Sequence, residues 1–143
     1  MLNLNIDLTQ VDTSFPVLAP GTYQMRIDEV VIAPNKAGTG SNLVVSFATT
    51  DEEQTKNGDS LKPGFKVRKW YPLQASEHSA DSWLRNLVIL TDAVFKITDP
   101  SERKPFNEDL IAAMRGNEVK CTVKVSTDQS GAVNNDISFV AAV

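Results

Sequence analysis

At 143 residues the chain has room for one well-buried core and is short for two. Its apolar content of 41% is ordinary for a globular protein, and no apolar run approaches the ~20 residues of a membrane helix, so no membrane partner is expected. A net charge of −4 argues against a protein that coats nucleic acid over its whole surface, but not against a polarised one.

The first ~18 residues carry no sustained periodicity, and Phe15 to Pro20 reads as an extended arm leading into the first strand. The expected organisation is therefore an N-terminal arm over 1–18 and one domain over 19–143. Met1 to Asp7 lacks the basic and continuous apolar regions of a secretory signal. The lone cysteine, Cys121, excludes an internal disulfide framework and fits a reducing compartment. Both features predict a cytoplasmic protein.

From Thr22 to Ile32 the residues alternate, with Tyr23, Met25 and Ile27 on one face and Gln24, Arg26 and Asp28 on the other. Residues 34–41 are rich in breakers and read as a turn. A second strand follows over 42–50 with Leu43, Val45 and Phe47 inward. Residues 51–64 are polar, charged and glycine-bearing, hence a loop. The period then changes from two to 3.6. Ser79 is placed to cap a helix over about 80–97, with Ala80, Trp83, Leu84, Leu87, Val88, Val94 and Ile97 as its apolar stripe. After Pro100 and Pro105, Asn107 caps a shorter helix with Glu108 and Asp109 in its first turn, ended by Gly116. Two last strands, over about 118–127 and 134–142, form a terminal hairpin. In the first of them Val119, Cys121, Val123 and Val125 alternate with Lys120, Thr122, Lys124 and Ser126.

Between the second strand and the long helix lies the most informative stretch, Lys62 to Gln74, with Lys62, Lys66, Arg68, Lys69 and three aromatics but no acid. As a strand it places Phe65, Val67, Lys69 and Tyr71 on one side and Lys66, Arg68 and Trp70 on the other. Cations that track phosphates beside an aromatic plane that accepts an unstacked base are the two ingredients of single-strand binding. A half-buried strand with a solvated basic face is the plainer reading of the same residues.

Three strands, a helical insertion and two more strands match the connectivity of the OB-fold, a five-stranded Greek-key barrel that binds oligonucleotides. The expected fold is thus mainly β, an OB-fold-like barrel with its helices between strands 3 and 4. Closure would leave Arg26, Lys66, Arg68, Trp70, Lys120 and Lys124 on one exterior patch, with acids mostly in loops and helix starts. Trp70 is the leading stacking candidate. Tyr71 takes that role if a bulge reverses the alternation, and Lys69 and the turn residue Lys36 are further candidate contacts.

Leu18-Ala-Pro-Gly-Thr-Tyr23 entering a strand, the Lys36-Ala-Gly-Thr-Gly40 turn, Leu43-Val-Val-Ser-Phe47, and a helix before the final hairpin together form a pattern from Pro16 to the C-terminus. It resembles small phage-encoded OB-fold single-stranded DNA-binding proteins of replication and recombination modules. The resemblance implies protection of single strands without sequence preference, no catalytic residues, and replication or recombination proteins as partners. Bacterial relatives of that group end in an acidic, partner-recruiting tail, whereas this chain ends Ile137-Ser-Phe-Val-Ala-Ala-Val143.

Other chemistry is poorly supported. His78 has no second histidine or cysteine cluster to complete a zinc site, and Cys121 alternates with valines as a small core residue. Lys36 to Ser41 lacks phosphate-loop spacing and joins two strands. Asp51, Glu52 and Glu53 suggest a metal-dependent nuclease only weakly, since consecutive loop acids are normally solvated. No catalytic residue, metal or cofactor is therefore expected. The alternative to a single-strand binder, which can itself be homo-oligomeric, is a structural or interaction module such as a virion component or a host-protein inhibitor.

Overall fold

A computed structural model of the chain describes residues 16–34, 38, 40–73 and 82–143. Five long strands form one antiparallel sheet in the order β5-β2-β1-β6-β7: β1 (Gly21–Pro34), β2 (Ser41–Thr49), β5 (Lys66–Pro72), β6 (Glu118–Thr127) and β7 (Val133–Ala142). Two short strands, β3 (Glu53–Gln54) and β4 (Ser60–Leu61), pair inside the segment expected to be loop. Thr55 organises their turn, its hydroxyl accepting from the backbone N–H groups of Asn57 (3.3 Å) and Asp59 (3.0 Å). Helices α1 (Ser82–Phe95) and α2 (Glu108–Met114) consequently lie between the fifth and sixth strands of the chain, not between strands 3 and 4.

The closed barrel is the second point of difference. Among the described residues no ladder joins the edge strands β5 and β7. They nonetheless approach each other, because Lys69 Nζ on β5 donates to the carbonyl of Ile137 on β7 at 2.7 Å. Helix α1 packs on β7 and also touches β5 and β6, while α2 lies against β1.

The core follows from the alternation. Met25 and Ile27 of β1, Leu43, Val45 and Phe47 of β2, Val67 and Tyr71 of β5, Val119, Cys121 and Val123 of β6, and Ile137 and Val140 of β7 are buried together. Each large apolar side chain so placed contributes roughly 1.5–3 kcal/mol. Helix α1 supplies Leu87, Leu90, Ala93 and Val94, a face at helical spacing, whereas Leu84 of the expected stripe is exposed. The helix ends at Phe95, two residues before its apolar pattern suggested. Lys96 adopts a left-handed conformation (φ 54°), and the Ile97 N–H reaches back to the Asp92 carbonyl (2.9 Å), closing the helix as a Schellman turn. The expected cap Ser79, and His78 and Ala80 with it, lie outside the described residues. Asn107 caps α2 as expected, its Oδ1 accepting from Leu110 N at 3.0 Å.

Two bulges modify the period-two pattern. In β1 the register against β2 slips between Ile27 and Glu29, so Asp28 and Glu29 both lie outward. Residues 115–117 take up backbone groups beside it: Ile27 N–H donates to Asn117 O, Gly116 N–H donates to Ile27 O, and Arg115 Nε donates to Asp28 O at 3.0 Å. In β7 the slip falls between the partners of Thr122 and Val123, at Ser138. It turns Phe139, which alternation unbroken from Ile137 would place inward, out to 54% exposure.

The arm preceding β1 is anchored from Val17 onward. Leu18 is fully buried, bridges to Thr55, and its backbone N–H and C=O are both held by the side-chain amide of Asn135 on β7, at 2.7 and 2.9 Å.

Candidate nucleic-acid interface

The outer face of the sheet is laid out by strand register. Lys66, Ala48 and Arg26 form one row across β5, β2 and β1; Arg68, Ser46 and Glu29 form the next; Trp70, Val44 and Val31 form a third. The centre of the first two rows is small for a reason. Ala48 and Ser46 are almost fully buried although they face outward between longer side chains on both flanking strands. Trp70 has no such cover and is 56% exposed, as the alternation predicts for an unbulged β5.

Not every sequence candidate reaches this face. Tyr71 is buried at the opposite side of β5, where burial pushes its hydroxyl well above the usual tyrosine range. It offers no ring to a ligand. Lys69 points inward with it, half-buried, its ammonium 5.4 Å from the Tyr71 ring centre and committed to the Ile137 carbonyl. Lys36 lies outside the described residues. Arg26, Lys66, Arg68, Lys120 and Lys124 are all exposed on the outer face.

That face is less uniformly positive than the sequence suggested, since four acids share it. Asp28 sits between two cations, 3.0 Å from Lys66 Nζ and 3.8 Å from Arg26. The hydrogen bond from Lys66, together with its charge and those of Arg26 and Arg115, holds the Asp28 carboxyl below the ordinary aspartate range. Glu29 ends the Arg68 row, and Glu118, opposite Arg26, accepts from Gln24 Nε2 at 3.1 Å. Asp136 faces Lys124 but accepts instead from Ser126 Oγ at 2.8 Å. Arg68, Lys120 and Lys124 have no carboxylate within 4 Å among the described residues.

A groove of about 720 Å³ follows the gap between the two edge strands. Lys66, Arg68 and Trp70 line one wall, and Asn134, Asn135 and Asp136 line the other. The Lys69 hydrogen bond to Ile137 links the two edge strands that carry these walls.

No protein-family model and no curated protein matches this chain. Its chemistry must therefore be read from the side chains. Among the described residues no three His, Cys, Asp or Glu side chains are grouped to hold a metal. Glu52 of the acidic loop accepts from Ser60 Oγ, which uses it to fasten the β3–β4 ribbon. Burial pushes the Cys121 thiol up to about 12, against a smaller opposing pull from Lys69, so no thiolate is present near neutral pH. Among the described residues no helix is long and apolar enough to cross a membrane.

Sequence reasoning missed three residues that shape the face. Arg115 arrives from the end of α2, Asp28 becomes a clamp through the bulge, and Phe139 emerges through a second bulge. No glycine or proline stands at either slip to encode it. The sign of the first is the charge of Asp28 followed immediately by that of Glu29, which strict alternation would have driven into the core.

Proposed function

We propose that this protein is a non-catalytic, sequence-independent binder of single-stranded DNA, serving phage replication or recombination in the host cytoplasm. The observation that carries this reading is the exposed Trp70 indole beside Lys66 and Arg68 on the wall of a groove. An indole costs free energy to leave in water, and here it stands where cations can hold the phosphates of a strand whose bases lie on its plane. The strand order and the approach of β5 to β7 support an OB-type barrel as the scaffold, with Arg26, Lys120 and Lys124 extending the phosphate track. Replication or recombination proteins as partners, and self-association, belong to the same reading.

Fluorescence titration with oligo-dT of a few tens of nucleotides tests it. Single strands quench Trp70, duplex does so far less, and affinity falls with salt. Trp70→Ala weakens binding roughly five- to 150-fold for all sequences alike, the worth of one stacked base. Neutralising Lys66 and Arg68 together lowers the salt slope by about 1.4, at ~0.7 per phosphate contact on a single strand.

One observation favours a second reading. The Trp70, Val44 and Val31 row is apolar, and Val31 is 41% exposed, so it also suits an assembly surface of a structural or inhibitory module. Absence of oligonucleotide binding, with a blue shift of Trp70 emission as protein concentration rises, would select that reading.

A further inference from the structure

The bulge at Ser138 exposes an aromatic whose surroundings repeat those of Trp70. Phe139 stands opposite Thr122 on β6, and the same-face neighbours of Thr122 along that strand are Lys120 and Lys124. The row is completed by Thr22 of β1, so the flank of the ring is polar and uncharged, its Oγ1 3.3 Å from that of Thr122. An apolar ring between two lysines, over half exposed, has the make-up of a base platform with phosphate contacts on one side.

Its position relative to Trp70 follows from topology. Four successive antiparallel pairings make the edge strands β5 and β7 run in the same direction. Lys69 meets Ile137 across the gap, and the groove sets Lys66 and Arg68 against Asn134 and Asp136. Continuing that register by one or two residues brings Trp70 on β5 and Phe139 on β7 to the same end of the gap, both on the outer face. Lys66 and Arg68 then flank one side of the path, and Lys120 and Lys124 the other.

We propose that Phe139 is a second base-stacking position, and that a single strand leaves the groove between Trp70 and Phe139 with its phosphates shared between the β5 and β6 cations. This rests on the single-strand reading above. The bulge is what makes it possible: with alternation unbroken from Ile137 the ring would point into the core and Val140 outward, whereas the slip at Ser138 buries Val140 and leaves Phe139 outside.

Two variants test it with labelled oligo-dT. Phe139→Ala lowers affinity by about fivefold or more, as loss of a stacked base does, with an unchanged far-ultraviolet spectrum. In the Trp70→Phe background, which keeps a ring at the first position, Phe139→Trp creates an exposed indole whose emission is quenched on saturation with oligo-dT. If wild-type protein binds and Trp70→Ala weakens it, while Phe139→Ala binds within twofold of wild type and the introduced indole is not quenched, the second position is wrong and the single-strand reading stands. If the wild-type protein fails to shift oligo-dT anisotropy at low salt, both are wrong. Quenching of the introduced indole by protein concentration alone, without oligonucleotide, also overturns the proposal and assigns Phe139 to a subunit contact.

Discussion

Asp28 is the residue on which the charge of the face turns. In the free protein its carboxylate occupies Lys66 and Arg26, two of the cations a strand would need. Asp28→Asn is expected to raise affinity for oligo-dT at low salt by roughly three- to tenfold and to steepen the salt dependence, both read by anisotropy. Stability should move the opposite way. Because its pKa is lowered in the folded state, Asp28 contributes stability that is present above the ordinary aspartate range and is lost as pH falls through the depressed value. The variant should therefore unfold more readily than wild type in urea at pH 7, and the difference should vanish as pH falls through the depressed value, below the ordinary aspartate range. Trp70 and Tyr71 show what alternation can and cannot deliver at this scale. Both were assigned by period two in a strand without a bulge, and the one solvent-facing ring was read correctly. Lys69 was placed on the inward side by the same count, yet its positive charge alone suggested a phosphate; in the fold that charge meets a backbone carbonyl instead.

At the scale of elements, the strands and helices were legible because each carries its own period and its own stop residues. Asn107 with Glu108 and Asp109 announced α2, and the valines of β6 announced their face. The β3–β4 ribbon was not legible, since two-residue strands are too short to display a period. The bulges were not legible either, because their cause lies in partners distant in sequence: residues 115–117 for β1, and β6 for β7. The approach of the two edge strands rests on an equally non-local pair. Lys69→Met keeps the packing of the side-chain stem and removes the ammonium, leaving the Ile137 carbonyl without its charged donor. A loss of about 1–3 kcal/mol in urea unfolding is expected. Unchanged stability would mean that α1 alone holds the two edges together.

Across the whole molecule, polarity was legible only in outline. The basic residues were found where alternation put them, but the expectation that acids lie mostly in loops and helix starts overlooked Asp28, Glu29, Glu118 and Asp136, which share the same sheet face. The face therefore presents local groups of cations and no broad positive field, which accords with a net charge of −4. Binding to such a surface should be sharply salt-dependent and sensitive to single substitutions.

The amide of Asn135 gripping the backbone of Leu18 has a consequence in time. These residues are 117 positions apart, so their contact cannot form until nearly every strand between them has been placed, and loop closure over that length is costly beforehand. It is a late event on the way in and an early one on the way out. Asn135→Ala should accordingly speed unfolding several-fold while leaving the folding rate almost unchanged, a one-armed shift in a denaturant chevron. Since Asn135 also lines the groove, the wall that faces Trp70 would be the last part of this protein to fold and the first to be lost.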